Sequence, residues 1–155
     1  MRIALRASGA LKSGPERALV DDYIRRADGL ARGVGFRGVE EQEVVLRGVH
    51  NKTDATRALL DGIGRGARIV LLDERGRSLA SSEIASALSE YRDAGASELV
   101  LLIGPADGFD PALLPSAPRW AFGRQTWPHM LLRAMAAEQI YRALSILAGN
   151  PYHRA

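Results

Sequence analysis

The sequence predicts an α/β fold in which a mostly parallel sheet carries helices on both faces. Two continuous apolar runs, at residues 68–72 and 98–103, are typical of strands buried on both sides of a parallel sheet. Segments with the apolar spacing of helices alternate with strand-like segments along the whole chain. This alternation favours a parallel sheet with helical crossovers.

The chain begins with a strand at residues 2–7, followed by a helix that starts near Pro15 and ends at Ala31. Ser13 and Glu16 have the spacing of a capping box, with Ser13 as the N-cap, and proline is favoured at the first helical position. Five apolar residues of this helix are spaced for one buried face: Ala18, Leu19, Tyr23, Ala27 and Leu30.

The middle of the chain predicts a second strand at 36–46, which is polar at alternate positions and therefore has one free face. A helix over 53–63 follows, and glycines at 62, 64 and 66 end it. After the apolar strand at 68–72, residues 73–76 are predicted to turn. Ser81 or Ser82 then caps a helix that ends near Ala94.

The last third predicts a strand at 98–103, a tight loop at 104–108 and a short helix that starts at Asp110. A short strand at 119–122 and a loop at 123–127 lead to a terminal helix over 130–148. That helix has no internal Gly or Pro and is rich in Leu, Ala and Met, which are good helix formers. Gly149 and Pro151 end it, as glycine near a C-cap followed by proline usually does.

The terminal helix is apolar on nearly all sides, with a narrow polar stripe of Glu138, Arg142 and Ser145. Arg133 projects from its most apolar face, where an unpaired charge would be very costly. Two interpretations remain open: a structural ion pair across a packed interface, or a binding site for a phosphate or carboxylate. The breadth of the apolar surface also indicates a homo-oligomer interface.

Composition limits the class of protein. The length of 155 residues, with 46% hydrophobic and 25% charged residues, predicts one globular domain spanning 1–155. The absence of cysteine excludes disulfides, Cys-ligated zinc and a thiol nucleophile, and it is compatible with a cytoplasmic location. Neither a signal peptide nor a membrane span is predicted, because no apolar run is long enough.

The charge is weakly positive and is carried almost entirely by arginine. The formal net charge is +3 and the sequence pI is about 9.7. Lysine occurs only at positions 12 and 52, so arginine supplies the other 19 of the 21 basic residues. Arginine suits phosphate and carboxylate, which permits a nucleic-acid partner. A high-GC genome would produce the same bias.

Three loops qualify as a ligand site, because open parallel sheets bind ligands outside the carboxyl ends of their strands. They start at Leu72, at Gly104 and at Gly123. The glycines at 104, 108 and 123 either let the backbone approach a ligand closely or serve as turn residues. No dinucleotide-binding glycine motif, P-loop or nucleophile elbow occurs. The three histidines, His50, His129 and His153, lack the spacing of metal ligands, so no metal is predicted, and His50 is interpreted as structural.

Several ordered segments match one family when they are taken together. They are Thr126-Trp127-Pro128-His129, Arg133, Ala137-Glu138-Gln139-Ile140-Tyr141-Arg142-Ala143, Asn150-Pro151-Tyr152-His153-Arg154, Leu101-Leu102-Ile103-Gly104 with Asp107-Gly108, and Val70-Leu71-Leu72-Asp73 with Gly76. The chain resembles the RlmH family (older name YbeA) of small SPOUT-class methyltransferases, and the resemblance covers its whole length.

This resemblance implies an α/β-knot fold with a C-terminal trefoil knot, an obligate homodimer and S-adenosyl-L-methionine as methyl donor. The implied target is N3 of a pseudouridine, position 1915 of 23S ribosomal RNA, within the assembled 70S ribosome. The implied cofactor-binding residues are Leu72, Asp73, Gly104, Pro105, Phe122, Gly123, Arg124, Gln125, Thr126, Trp127 and Pro128.

The same resemblance implies that Tyr152, His153 and Arg154 bind RNA or the target base, with Arg142 and Arg133 as further candidates. N3 of pseudouridine carries a proton that must be removed, and His153 is the titratable group of this tail near neutral pH. We therefore expect His153 to deprotonate or orient the base. Arg154 and Arg142 are expected to hold phosphate or carbonyl oxygens.

Two departures from the family pattern and three alternatives accompany this prediction. Pro105 replaces the usual second glycine and has no backbone N–H to offer a cofactor. Arg124 and Gln125 replace small or apolar residues.

The alternatives are a SPOUT methyltransferase of another RNA such as tRNA, a non-catalytic RNA- or ribosome-binding dimer, and a metabolic enzyme that binds a nucleotide at the same strand ends.

Overall fold

Residues 1–154, which the computed structural model describes, form five strands and four α-helices around one sheet. The strands are β1 (Arg2–Ser8), β2 (Gly38–Val44), β3 (Ala67–Ser78), β4 (Glu98–Ile103) and β5 (Arg119–Ala121). The helices are α1 (Pro15–Ala31), α2 (Lys52–Leu60), α3 (Ser81–Asp93) and α4 (His129–Leu147), with single 3₁₀ turns at Arg32–Val34 and Pro111–Leu113. Every strand pair in the order β2-β1-β4-β3-β5 is parallel, which confirms the predicted α/β class.

Helices cover both faces of the sheet, because side chains alternate along each strand. In β4, Leu99, Leu101 and Ile103 face α1, α3 and α4. These three side chains and the buried residues of the three helices belong to the larger core cluster. Val100 and Leu102 of the same strand face the other way and pack with Leu59 of α2, Phe109 and Leu114. The prediction of helices on both faces is therefore confirmed.

Helix α4 is enclosed by its own chain. It packs against α1 and α3 over the sheet, and nine of its nineteen residues are buried. This explains why its sequence is apolar on nearly all sides. Ser145, which the sequence placed on a polar stripe, is fully buried, and its hydroxyl donates to the Tyr141 carbonyl at 2.9 Å.

The carboxyl ends of all five strands meet at one edge of the sheet, and β3 continues beyond that edge. Residues 73–76 were expected to turn, but β3 runs on to Ser78 through a bulge between Leu72 and Arg77. The reason is pairing, since the extension holds Trp120 and Ala121 of β5. The backbone of Arg119 passes so close to Gly76 that a Cβ atom there would lie 2.6 Å from its carbonyl carbon.

Two predicted helix caps are wrong. Helix α1 starts at Pro15 as expected, but its N-cap is Gly14 with φ of 103°, and no side chain caps it, so Ser13 lies outside. Helix α3 is preceded by Ala80 rather than capped by Ser81 or Ser82, and the Glu83 carboxylate accepts from the Ala80 N–H at 2.8 Å. In both helices the N-cap position is therefore occupied by a residue next to the predicted serine, Gly14 in α1 and Ala80 in α3.

The predicted buried face of α1 is also partly wrong. Leu19 is 44% exposed and Ala18 is exposed, whereas Val20, Ala27 and Ala31 are buried. The contact with α4 turns the buried face of α1 toward Val20. Strand β2 and helix α2 are each shorter than predicted, and the Asn51 side chain caps α2 by accepting from Asp54 N–H.

Candidate active site

A cavity of about 420 Å³ opens at the carboxyl ends of β3 and β4, where the predicted loops meet. The residues after β3, the loop after β4 and the residues before α4 all line it. Six of the predicted cofactor-binding residues contribute to its wall: Leu72, Asp73, Gly104, Pro105, Thr126 and Trp127. These six predicted residues therefore meet at one cavity at this edge of the sheet.

The remaining five predicted cofactor-binding residues lie on the loop between β5 and α4, outside this cavity. Phe122 and Gln125 line a smaller adjoining cavity of about 120 Å³, which shares Asp73, Thr126 and Trp127 with the larger one. Gly123, with φ of 93°, lies in a groove beside Glu138 and Gln139. Arg124 and Pro128 are exposed.

The floor of the cavity is built so closely that Gly104 cannot be replaced without movement. A Cβ atom at Gly104 would lie 2.8 Å from the Phe109 ring. Leu72, Ile103 and Leu132 add apolar wall around this glycine. A backbone segment without a side chain is thus exposed to the cavity between apolar walls, an arrangement that suits a flat aromatic group.

Hydrogen bonds fix the loops that close the cavity. Asp73 pairs with Arg119 at 2.6 Å and also accepts from the Arg75 N–H at 2.9 Å. Thr126 donates to Glu74 at 2.5 Å. The Trp127 indole donates to the Phe122 carbonyl at 2.8 Å, which shapes the turn before α4.

His129 is a wall residue of this cavity that the sequence reasoning did not select. Its Nε2 atom lies 3.2 Å from the Ser8 hydroxyl at the end of β1. Burial lowers the pKa of His129, the neighbouring Arg133 cation lowers it further, and a hydrogen bond with the Gly104 carbonyl opposes both effects. The only signal in the sequence was a histidine at the start of the terminal helix, directly after a predicted site loop.

Arg133 lies one turn beyond His129, inside the protein. Its side chain is 2% exposed, and it pairs with Glu41 and Glu43 of β2 at 3.2 Å each. It also donates to the carbonyls of Ser8 and Gly9 at 3.1 Å each. The interpretation as a structural ion pair is thus confirmed, with both carboxylates coming from the same chain.

The C-terminal tail is folded back onto the other end of α4. The Tyr152 ring packs edge-on against Tyr141, and its hydroxyl donates to Glu138 at 3.0 Å. Burial raises the pKa of Tyr152 above its ordinary value, and the hydrogen bonds with Tyr23 and Glu138 raise it further.

Arg142 connects the tail to α4. It pairs with Glu138 at 2.6 Å, and its Nη1 atom lies 3.4 Å from Nδ1 of His153. Arg154 is exposed. The structure therefore brings Tyr152, His153 and Arg142 together.

The tail cluster and the cavity are not brought together within one chain. His129 opens α4 and Arg142 lies thirteen residues later, which places them about 20 Å apart along a helix that rises 1.5 Å per residue. The predicted cofactor residues that line the cavity therefore lie near the start of α4, the tail cluster lies along its second half, and Gly123 lies between them beside Glu138.

Two other features are absent from residues 1–154. No group of three or more His, Asp or Glu side chains in that range is placed to hold a metal ion. Within the same range, no helix combines the length and the apolar character needed to cross a bilayer.

The sequence of the chain matches one family of known proteins. The family model described as "Predicted SPOUT methyltransferase" matches residues 1–153. The chain is 53% identical over 156 residues to ribosomal RNA large subunit methyltransferase H of Hyphomonas neptunium, with 100% of each chain covered. It is 48% identical to the proteins of the same name from Maricaulis maris and Phenylobacterium zucineum, with 99% of each chain covered.

Proposed function

The chain belongs to the SPOUT methyltransferase family, and we propose that it transfers a methyl group from S-adenosyl-L-methionine to N3 of a pseudouridine in 23S ribosomal RNA. Members of this family have a knotted α/β fold and are methyltransferases, so the predicted fold and class of enzyme are confirmed. The relatives' activity on large-subunit ribosomal RNA supports the proposed substrate. We take residues 1–155 as one catalytic domain that acts in the cytoplasm on assembled ribosomes.

The cavity at the ends of β3 and β4 carries this proposal, because its residues fit the cofactor. A volume of about 420 Å³ is within the range of small-molecule sites. Gly104 between apolar walls suits an adenine ring. Glu74 and Asp107 supply negative charge for a cationic ligand, since Asp73 is already paired with Arg119, and Lys52 and Arg75 supply positive charge for a carboxylate. Pro105 also lines the cavity, and it contributes its carbonyl and ring but no N–H.

The bound cofactor supplies a methyl group on positively charged sulfur, and the protein must present the acceptor nitrogen to it without its proton. His153 is placed to orient the base, because Arg142, which can only donate, holds Nδ1 of its ring and leaves the ring hydrogen on Nε2. It can take the proton at Nδ1 once RNA draws Arg142 away from that atom. Arg142 is itself held by Glu138, so its guanidinium is oriented before RNA arrives. Tyr152 supports the Arg142 guanidinium, which lies 4.7 Å from the centre of its ring. Arg154 offers an exposed cation for phosphate.

The distance between the cavity and the tail supports a homodimer as the active form. In one chain the two clusters lie about 20 Å apart along α4, which is too far for a single methyl transfer. A second copy whose tail reaches the cavity of the first would complete the site. Exposed apolar side chains beside the cavity, Trp127 at 36% and Met130 at 50%, are available for such a contact.

Arg133 has a supporting role in this proposal rather than direct contact with RNA. Its guanidinium is used by Glu41, Glu43 and two carbonyls inside the chain. We propose that it fixes the start of α4, and with it the cavity wall, against β1 and β2.

Calorimetric titration with S-adenosyl-L-methionine, followed by transfer of tritiated methyl groups to ribosomes that lack the modification, tests the proposed function. We expect saturable binding and methylated 23S RNA. His153→Gln should slow single-turnover transfer by about a hundredfold or more without changing cofactor affinity, because general base catalysis contributes that much. His50→Gln, at an exposed histidine, is the matched control.

Three results would contradict the proposal in different ways. A folded protein that binds ribosomes but no cofactor would be a non-catalytic RNA-binding protein. Methylation of tRNA but not of ribosomes would change the substrate. Full activity of His153→Gln would remove His153 from the mechanism and leave the rest of the proposal intact.

A further inference from the structure

One half-buried titratable side chain on the cavity wall has no part in the function proposed above. His129 joins the ends of two neighbouring strands, since Nε2 lies 3.2 Å from the Ser8 hydroxyl of β1 and the ring also bonds the Gly104 carbonyl after β4. It therefore ties the glycine floor of the cavity to the rest of the sheet.

A neutral ring can make both hydrogen bonds of His129. A carbonyl can only accept, so the ring nitrogen facing Gly104 must carry the hydrogen. In the neutral ring the other nitrogen, Nε2, then accepts from the Ser8 hydroxyl. A second proton on the ring would turn Nε2 into a donor and would force the Ser8 hydroxyl to rotate away.

The surroundings of His129 oppose a positive charge. The ring opens α4, where the positive end of the helix dipole lies, and the buried Arg133 cation is one turn away. The carboxylates nearest to Arg133, Glu41 and Glu43, are shared between it and Arg17. The other charged groups that line the same cavity are Asp73, Glu74, Arg75 and Arg119 on the β3–β5 side, Asp107 after β4, and Lys52 on α2.

We propose that His129 is a positioning residue that keeps the cavity wall uncharged, so that the cavity accepts a sulfonium cofactor and rejects it when the imidazole becomes charged. The inference rests on the proposed function, because it concerns the same cofactor. Its chemical reason is that a protonated ring would add a positive charge to a cavity that must hold another one. It also predicts discrimination, since the demethylated product S-adenosylhomocysteine has the same groups without the sulfonium charge.

Paired calorimetric titrations with S-adenosylmethionine and S-adenosylhomocysteine, at about pH 7.5 and about pH 5.5, test this inference. The lowered pKa of His129 means that the ring is neutral at the higher pH and gains charge only as the pH falls below about 6.5. On acidification we expect the affinity for the sulfonium ligand to fall about tenfold more than the affinity for the neutral product.

Two variants isolate the residue. His129→Gln keeps an amide that can bridge Ser8 and Gly104 but cannot gain a proton, so it should bind both ligands and lose the pH-dependent difference. His50→Gln removes an exposed histidine and should keep the wild-type difference. An equal loss of affinity for both ligands in the wild type, or a difference that persists in His129→Gln, would overturn the inference.

An NMR titration of the wild-type histidines gives a second measurement that does not require a folded variant. Because linkage is reciprocal, the His129 pKa should be lower with the sulfonium ligand bound than with the neutral product bound. Equal pKa values in the two complexes would overturn the inference while leaving the proposed function in place. Absence of binding by both ligands at about pH 7.5 would instead overturn the proposed function and, with it, this inference.

Discussion

Arg133 is the residue whose burial makes the strongest demand on its surroundings. A guanidinium is stable in the interior only if its charge is paired and its hydrogens are bonded. Glu41 and Glu43 provide the charge, and the Ser8 and Gly9 carbonyls accept two further hydrogen bonds. The arrangement joins α4 to β1 and to β2 next to the cavity.

We expect Arg133→Met to destabilise the protein by about 1–3 kcal/mol, because the Ser8 and Gly9 carbonyls lose their donor, whereas Glu41 and Glu43 keep their pairing with Arg17. Urea denaturation followed by circular dichroism measures the change. Arg65→Met is the matched control, since Arg65 is exposed, and it should change stability by less than about 0.5 kcal/mol. A loss of less than about 1 kcal/mol for Arg133→Met would show that the network contributes little to folding.

At the scale of elements, the extension of β3 decides where β5 lies. Gly76 does not have a positive φ, so backbone freedom is not the reason for a glycine there. Space is the reason, since a Cβ atom would lie 2.6 Å from the carbonyl carbon of Arg119 and 2.7 Å from the Trp120 nitrogen. These are backbone atoms, which cannot move aside as a flexible side chain can.

Gly76→Ala should therefore weaken the pairing of β3 with β5 and lower stability by about 1–3 kcal/mol, the usual cost of overpacking. Urea denaturation gives the stability, and hydrogen exchange of the Trp120 amide reports on the pairing itself. Gly64→Ala is the control, because a Cβ atom there has no neighbour within 4 Å. If the two variants are equally stable, the close approach at Gly76 does not constrain the fold.

Strands β4 and β3 show which parts of the fold could be predicted from the sequence and which could not. Strand β4 was predicted at its observed bounds, because a continuous apolar run reports local burial. Residues 73–78 are charged or small and look like a turn, yet distant pairing with β5 makes them a strand. The knot entered only through family resemblance, since no local pattern encodes how loops pass one another.

The residues of the candidate site also differ in whether local sequence patterns could predict them. Leu72 and Gly104 could be predicted because they end recognisable strands, whereas the role of His129 depends on Ser8, which lies 121 residues away in sequence. The charge on Arg133 predicted that a partner must exist, but only the fold identifies Glu41 and Glu43.

At the scale of the whole molecule, the position of α4 bears on the oligomeric state in which the protein acts. The start of this helix contributes His129 to the cavity, and the tail is held further along it, through Glu138 at its middle and Arg142 in its second half. The helix is packed along its length against α1 and α3, so it cannot bend to bring its two ends together. The proposed function therefore predicts that the tail of one copy serves the cavity of another.

Two copies joined by a flexible linker, with one cavity and one tail altered, test this arrangement by single-turnover methyl transfer. Gly104→Val blocks a cavity, because its side chain would meet the Phe109 ring, and His153→Gln disables a tail. If tails act across the dimer, alterations on different copies leave one complete site and about half of the activity. Alterations on the same copy then leave none, because each remaining cavity or tail faces an altered partner. The opposite pattern would show that tail and cavity of one chain act together, and it would overturn the shared site.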